Sequence, residues 1–409
     1  MGPIRRSDPA ALSTATLNSA DDFARVSEQI SELRRVTGAC EDLYTDPEYF
    51  LTCTDAVRRS CSVACWRGEE LAGVVYACEH YVTGVGTGYA LAGDYSGRGT
   101  LLARPGDAHV VVTAAVDHLM RNGIHCLHLR LSPSLGPGLE VGTCHNVHFH
   151  ELIPGDRLPL ASTYEDFLGM LGKHTRRNIR AYTRRAFGTG LWFDPSVPEP
   201  EYTAAVRRLS EAAEFPIVGR RLARDLRLMH LYRGERFALR DSSGQIVSAL
   251  CGFSVVDRFY LLSQVNDACL GPLSLSLVLR GLAIEHLIAR GNRELQFMGG
   301  TSLALGRFCE RLEYSGYFID RPHWLLSRVK TAAAWTVDLL ARLGRHVPLE
   351  LEMMAGSYLA PDRLAAHTPL LPAAVVKYEE SVRGHKAPRP TMRRVDVASI
   401  APGGPGSAA

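Results

Sequence analysis

The sequence carries one pattern twice. Residues 114–129, AAVDHLMRNGIHCLHL, can be laid on residues 282–297, LAIEHLIARGNRELQF. Each copy predicts a helix, a glycine and then an alternating strand, and self-similarity of this kind indicates a repeated structural unit. Gly123 and Gly291 fall where a helix ends in a left-handed C-cap. The chain is therefore expected to fold as two related units in tandem.

The match continues upstream, more loosely. Residues 61–80 and 236–255 each predict two strands joined by a Gly-containing turn, as in a β-hairpin. Residues 88–95 and 257–267 supply a third strand in each half. The order hairpin, strand, helix, strand thus occurs twice, and it predicts a mixed α/β fold.

Composition bounds the class of protein. The chain has 409 residues, 46% of them hydrophobic and 22% charged, which suffices for two domains with buried cores. A formal charge of +3 gives no general case for nucleic-acid binding, so any basic surface must be local. The ten cysteines form no CxxC pair, which predicts buried, reduced thiols of a cytosolic protein.

The chain ends differ from the middle in composition. Residues 1–20 and 384–409 predict polar or Pro/Gly/Ala-rich tails, with no secretory h-region and no run of 18 apolar residues. Between them we predict a first domain at 21–160, a second at 161–322 and a C-terminal helical extension at 323–383. The predicted location is the cytoplasm.

Two segments carry a family resemblance. DPEYFLTC, at residues 46–53, is similar to a helix of GNAT-like proteins of the cellulose-biosynthesis type, and GKHTRRNIRAYTRRAFGTGL, at 172–191, also resembles a segment of the Fem peptidyltransferases. The resemblance covers roughly residues 40–320. It implies two tandem GNAT-like domains, each with a mixed central sheet flanked by helices, and acyl-CoA lying where two central strands part.

The basic segment predicts a helix with cations on one face. Arg177, Arg180 and Arg184 follow each other at helical spacing, and guanidinium groups bind phosphate in bidentate fashion. A solvated basic helix with Ile179 and Tyr182 turned inward is the alternative. The residues predicted to bind substrate here are Lys173, Arg176, Arg177, Asn178 and Arg180.

The turn before the second repeat helix is the predicted cofactor site. The resemblance implies that backbone N–H groups of this turn face the pyrophosphate of CoA, beside the positive end of the helix dipole. The sequence departs from the family's Q/RxxGxG/A pattern, since one glycine is present. The predicted cofactor-binding residues are Gly271, Pro272 and Ser274, with Gly299 and Gly300 after the next strand. A loop with Gly97, Gly99 and Gly106 in the first half is a weaker phosphate candidate.

An amine acceptor needs a group to take its proton. Asp267 and Glu310 are the predicted catalytic carboxylates, with Glu294 as a third nearby; surface ion pairing explains each equally well. Gln296 stands where relatives often carry an acid and cannot act as a base, so it is assigned with Arg307 to substrate binding. The resemblance implies direct attack in a ternary complex.

Other chemistries are less favoured. Cys269 and Cys309 flank the predicted cleft but have no base placed beside them by spacing, so packing is preferred over nucleophilic catalysis. Cys144, His145, His148 and His150 cluster in sequence, yet strand alternation leaves only two histidines on one face. No metal is therefore expected.

Residues 323–347 predict an amphipathic helix with basic residues on its polar face. Such a helix packs on the preceding domain or a second subunit, or lies on the inner membrane surface near lipid-linked acceptors. The oligomeric state is left open.

Three functions compete. The leading one is an N-acyltransferase that moves an acyl group from acyl-CoA to an amine of a sugar, a metabolite or a cell-envelope precursor. The second is Fem-like aminoacyl transfer from charged tRNA, with steep salt dependence. The third is a catalytically degenerate GNAT-like binding or scaffold protein.

Overall fold

The computed structural model describes residues 12–82, 84–94, 97–104, 106–131, 145–213, 216–298 and 303–320, with isolated positions between 332 and 343. The predicted amphipathic segment 323–347, apart from those positions, and the predicted tail 384–409 lie outside the described residues.

The first half follows the predicted order. Its helices are α1 (Ala20–Arg25), α2 (Ser27–Val36), α3 (Pro47–Cys53) and α4 (Ala108–Arg121), with a 3-10 turn at Leu43–Thr45. Its strands are β1 (Ser13–Leu17), β2 (Arg58–Ser60), β3 (Ser62–Arg67), β4 (Glu70–Val75), β5 (Ala77–Val82), β6 (Val85–Ala92), β7 (Leu101–Ala103), β8 (Cys126–Leu131) and β9 (His145–Pro159).

The second half repeats that order with additional helices. Its helices are α5 (Tyr164–Met170), α6 (Lys173–Gly188), α7 (Glu199–Ser210), α8 (Gly219–Leu231), α9 (Leu275–Ala289) and α10 (Leu303–Gly306). Its strands are β10 (Trp192–Asp194), β11 (Glu235–Arg240), β12 (Ile246–Val255), β13 (Arg258–Asn266), β14 (Glu294–Phe297) and β15 (Glu310–Asp320), and a 3-10 helix spans Ala268–Leu273.

The internal repeat is confirmed. Helices α4 and α9 both end before a glycine with positive φ, +99° at Gly123 and +89° at Gly291, and each leads into a strand of the same sheet. Both predicted hairpins form, as β3–β4 and β11–β12. Strand β8 then pairs in parallel with β6, and β14 pairs in parallel with β13. The mixed α/β fold is therefore confirmed.

The two halves share one sheet by exchanging strands. The described strands form a four-stranded sheet, β1-β3-β4-β7, and an eleven-stranded sheet, β10-β11-β12-β13-β14-β9-β15-β8-β6-β5-β2. Strand β9, from the first half, pairs with β14 of the second half, and β15, from the second half, pairs with β8 of the first. The predicted domain boundaries remain predictions, but the sheet runs through the division at residue 160.

The N-terminal tail prediction is wrong for residues 12–20. Residues 13–17 pair antiparallel with β3 from Ser13↔Trp66 to Leu17↔Ser62. Thr14 and Thr16 hydrogen-bond to the two ring nitrogens of His118, and Leu17 is buried. Alternating β-branched residues with one apolar anchor thus make an edge strand out of a polar composition.

Helices cover both faces of the second half. Helices α5, α6 and α9 pack on one face around Phe237, Phe259 and Phe297. Helices α7 and α8 pack on the other, where residues 43–53 of the first half join them through Leu43, Tyr49 and Cys53. This arrangement places Tyr44 beside strands β13 and β14.

Candidate functional site

A β-bulge opens the central sheet. Strands β13 and β14 run parallel from Arg258↔Glu294 to Leu261↔Phe297, and β14 then ends while β13 continues to Asn266. At the same level the pairing of β13 with β12 jumps from Gly252↔Leu261 to Cys251↔Ser263, which leaves Leu262 as the extra residue. A bulge bends its strand and ends local pairing. The pairing of β13 with β14 therefore ends at Leu261↔Phe297, and we call this point of separation the cleft.

Helix α9 begins at this cleft. The 3-10 helix Ala268–Leu273 leads into Ser274, which has a left-handed backbone (φ 50°, ψ 48°) and caps α9 without a side-chain hydrogen bond. Within the described residues, the N–H groups of Leu275 and Ser276 have no acceptor. Unpaired N–H groups at the positive end of a helix dipole are an anion-binding arrangement. The predicted turn at Gly271 and Pro272 therefore stands before a helix start that suits a phosphate.

The basic helix packs beside it. Helix α6 contacts both α9 and the 3-10 helix, and it crosses α9 so closely that a Cβ on Gly281 would lie 3.2 Å from Ile179 Cγ2. Ile179 is buried, whereas Lys173, Arg177, Arg180 and Arg184 are exposed. Arg180 ion-pairs with Glu165 at 2.5 Å, and no described carboxylate pairs with Lys173 or Arg177. The cationic face is therefore available to an external anion.

Helix α9 itself carries one arginine, Arg280. Arg280 donates through Nε to Gln264 Oε1 at 2.7 Å, and its guanidinium carbon is 5.2 Å from the centre of the Phe297 ring. Gln264 Nε2 donates to the Ser276 carbonyl at 3.3 Å. Burial lowers the pKa of Arg280 to about 10. Gln264 lies on β13 beyond the bulge, so this cluster belongs to the cleft.

A buried polar cluster occupies the other face of the sheet. Tyr44 OH accepts from Arg98 Nη1 at 2.8 Å and from Gln296 Nε2 at 2.7 Å. Arg98 also ion-pairs with Asp156, and both side chains are at least 89% buried. Asp156 sits in β9 where pairing with β15 jumps from Arg157↔Glu310 to Ile153↔Leu312. The cluster joins the segment 43–53, the loop that carries Arg98, the exchanged strand β9 and strand β14 at one point.

The charged groups of this cluster stabilise one another. Burial raises the pKa of Asp156, while the Arg98 guanidinium opposes that rise. Burial also raises the pKa of Tyr44 well above its ordinary value. Asp94 supports the arrangement by accepting Tyr49 OH at 2.7 Å and the Arg98 backbone N–H at 3.1 Å. Tyr44 and Gln296 are therefore fixed donors and acceptors.

The predicted catalytic carboxylates are placed apart. Asp267 follows β13 at the cleft, and its Oδ1 accepts the Cys269 N–H at 2.8 Å. Glu310 begins β15, is exposed, and lies 3.5 Å from Arg157 Nη1. Glu294 lies between Arg157 and Arg258. Burial raises the pKa of Glu294, but hydrogen bonds from both guanidinium groups outweigh that effect and lower the pKa. Asp267 is thus the carboxylate beside the cleft.

The other predicted site residues divide into three groups. Gln296 is buried on β14 within the polar cluster, and Arg307 is exposed after α10. Gly99 has φ +68°, and a Cβ there would lie 2.2 Å from the Tyr44 carbonyl oxygen, so its role is close packing. Gly299, Gly300 and Cys144 lie outside the described residues, as do the side chains of His145, His148 and His150.

Cys309 is buried and Cys269 is exposed, and none of the described cysteines forms a disulfide. No group of three His, Cys, Asp or Glu side chains in the described part of the chain forms a metal site. None of the described helices combines the length and apolar character needed to cross a membrane.

Sequence reasoning missed Tyr44, Arg98, Asp156 and Arg280. The first three come from distant parts of the chain and meet only in three dimensions. Arg280 did carry a signal, because it is the one charged residue between Asp267 and Glu285 in an otherwise apolar segment.

Residues 173–304, from the start of α6 into α10, match the family described as Acetyltransferase (GNAT) domain. The matched segment includes α6, the bulged strand β13, and α9, so this part of the chain resembles a GNAT-type acetyltransferase domain. The predicted tandem GNAT-like architecture is confirmed; the cellulose-biosynthesis-type resemblance remains a prediction.

Several solved structures resemble a large part of the chain. A tandem GNAT protein from the clavulanic acid biosynthesis pathway has 12% identity and a TM-score of 0.47, over 76% of this chain and 99% of its own. FemX has 10% identity and a TM-score of 0.44, over 74% of this chain and 96% of its own. The L-PGS of Bacillus licheniformis has 10% identity and a TM-score of 0.42, over 69% and 95%. No curated protein matches the sequence significantly.

Proposed function

We propose that this protein is an N-acyltransferase that takes an acyl group from acyl-CoA and transfers it to an amine of a sugar, a metabolite or a cell-envelope precursor. The observation that carries the proposal is the bulge at Leu262, which separates β13 from β14 beside the start of α9, inside the segment that matches a GNAT acetyltransferase domain.

The donor is assigned to the α9 face. The unpaired N–H groups of Leu275 and Ser276 receive the pyrophosphate, and the turn at Gly271 and Pro272 approaches it. Lys173 and Arg177 add positive charge from the neighbouring helix. The acyl group then extends into the cleft past Leu262.

The acceptor is assigned to the opposite face, where Gln296 and Tyr44 lie. The amine nitrogen attacks the thioester carbonyl, a C–N bond forms, the C–S bond breaks, and CoA leaves as the thiolate. Asp267, at the end of β13, is the proposed acceptor of the amine proton, with Glu310 as the alternative. Its Oδ2 has no partner within the described residues, so it is available for that role.

The first experiment is calorimetric titration with CoA, acetyl-CoA and long-chain acyl-CoAs. Binding is expected, and replacing Lys173 and Arg177 together by Gln should weaken it about tenfold, because each removes a charge-assisted contact. Arg207→Gln is the matched control, since this exposed arginine lies on α7, on the other face of the sheet. Absence of binding to every acyl-CoA would refute the proposal and leave the aminoacyl-tRNA and scaffold alternatives.

Aminoacyl transfer from tRNA is the second candidate, and the cationic face of α6 favours it. This helix has several exposed arginines and no acidic residue. If tRNA is the donor, log Kd for bulk aminoacyl-tRNA will change steeply with log salt, in proportion to the phosphates contacted. Salt-insensitive binding would exclude it.

A further inference from the structure

Three large apolar side chains near residue 340 face solvent together. The described positions between 332 and 340 are helical, and Leu343 N donates to the Leu339 carbonyl at 3.0 Å. Trp335, Leu339 and Leu343 follow each other at i, i+4 and i+8, which places them on one side of a helix. Their exposed fractions are 76%, 56% and 63%. We call these three residues the apolar face.

The other side of this helix packs against the protein. Ala333 is buried and Leu340 is half-buried, and a spacing of seven residues puts both on the same side. The apolar face is therefore turned outward. A single exposed apolar side chain is ordinary, but a group of three this large on one helix side is typical of a binding surface.

The segment around the apolar face is strongly basic. Residues 323–347 contain four basic residues and one acidic residue, namely Arg328, Lys330, Arg342, Arg345 and Asp338. The resulting charge of +3 equals the formal charge of the whole chain, so the rest of the chain has no net charge. Trp and Leu on one side with Arg and Lys beside them are typical of helices that lie in the surface of an anionic membrane.

Two other occupants of the apolar face fit the charge less well. A second copy of the chain would bring the same basic segment into a two-fold contact, which opposes like charges. Residues 348–409 carry seven basic and six acidic residues, so the chain that follows offers no excess of negative charge. A membrane surface with anionic headgroups supplies both the apolar phase and the negative charge.

We propose that the apolar face docks on an anionic membrane surface. Trp335, Leu339 and Leu343 enter the boundary between headgroups and acyl chains, and the basic residues of the segment meet the lipid phosphates. The helix lies on the membrane and does not cross it. The inference goes beyond the proposed acyl transfer, since it assigns a binding surface that does not depend on the donor.

The test is co-sedimentation of the full-length protein with vesicles of phosphatidylcholine alone and of phosphatidylcholine mixed with phosphatidylglycerol. Binding to the mixed vesicles is expected, and it should weaken as salt rises, because salt screens the attraction to the headgroups. The variant Trp335→Gln/Leu339→Gln/Leu343→Gln should bind the mixed vesicles at least about tenfold more weakly, because it loses the side chains that enter the acyl boundary.

The matched control changes three exposed apolar residues on other helices. Val36, Val110 and Met170 lie on α2, α4 and α5 and are each about half exposed. Val36→Gln/Val110→Gln/Met170→Gln should bind the mixed vesicles as the wild type does.

A second pair of variants tests the charge. Arg342→Gln/Arg345→Gln should weaken binding to the mixed vesicles by about tenfold or more, because each arginine near the surface adds attraction to anionic lipid. Arg25→Gln/Arg207→Gln removes two exposed arginines elsewhere and should leave binding unchanged.

Three vesicle results would overturn the inference: no binding of the wild type to either vesicle, equal binding to both, or full binding by the apolar-face variant. Sedimentation velocity adds a fourth, since a wild-type dimer that this variant converts to a monomer would show that a second copy covers the apolar face. If the variant does not fold, quenching of tryptophan fluorescence by brominated lipids replaces it. Trp335→Phe should keep binding and lose the quenched emission, whereas unchanged quenching would place the contact elsewhere and overturn the assignment.

Discussion

The buried pair of Arg98 and Asp156 should be the most sensitive point of the structure. Their side chains are 11% and 4% exposed, and Arg98 also donates to Tyr44. Replacing Arg98 by Met keeps the volume but leaves a carboxylate buried without its counter-charge. Removing one partner of such a pair costs about 3–5 kcal/mol, against a total stability of about 5–15 kcal/mol.

The assay is urea unfolding of the wild type, Arg98→Met and the double variant Arg98→Met/Asp156→Leu. The double variant should recover most of the lost free energy, because replacing both charges by apolar groups is often close to neutral. Arg25→Met is the control: its ion pair with Asp22 is on the surface, with Arg25 74% exposed, and should contribute less than about 1 kcal/mol.

The pH dependence gives an independent check. Burial raises the pKa of Asp156 above 3.8, and loss of Arg98 should raise it further. The folded state then binds a proton more readily than the unfolded state, so the penalty in Arg98→Met should shrink as pH falls through the raised pKa and be full at pH 7. A loss below about 1 kcal/mol, a double variant no better than the single, or a penalty constant with pH would refute the reasoning.

Three further predictions follow from the described contacts. Gly99→Ala should lower the free energy of unfolding in urea by about 2 kcal/mol or more, because the new Cβ would lie 2.2 Å from the Tyr44 carbonyl oxygen. Gly106→Ala, also at positive φ but in open space, should lower it by about 1 kcal/mol. Equal losses in the two variants would contradict the contact at Gly99. Of the described cysteines, Cys40 and Cys269 should react with a thiol reagent in the native protein at pH 8, while Cys251, whose pKa burial raises to about 11, should react only after unfolding; early labelling of Cys251 would show that the site opens. Leu17→Ala should lower the free energy of unfolding by about 2–5 kcal/mol in the same assay, because Leu17 is buried. A change near zero would show that residues 12–20 do not pack on the fold.

Local patterns in the sequence predicted the elements well. Gly123 and Gly291 marked two helix ends because positive φ at a C-cap is a local requirement that glycine meets at least cost. The hairpins and third strands were equally local. Strand β1 was missed because its composition is polar, and its partner His118 lies far along the chain.

The site was predicted less completely for a physical reason. The basic helix α6 and the turn at Gly271 are each formed by one continuous segment of the chain. Their residue types therefore indicated an anion site. The cluster of Tyr44, Arg98, Asp156 and Gln296 depends on the strand exchange of β9 and β15, and pairing between strands so distant in sequence leaves no short-range pattern.

That exchange constrains synthesis on the ribosome. When β8 leaves the exit tunnel at Leu131, the strand that will cover its edge, β15, has not been made, since it begins at Glu310. The edge of β8 therefore stays unpaired until nearly the whole second half has been translated. This order of synthesis favours late, concerted folding and exposes the nascent chain to mispairing. A stop codon placed between the two halves should therefore yield an aggregating product instead of a smaller working domain.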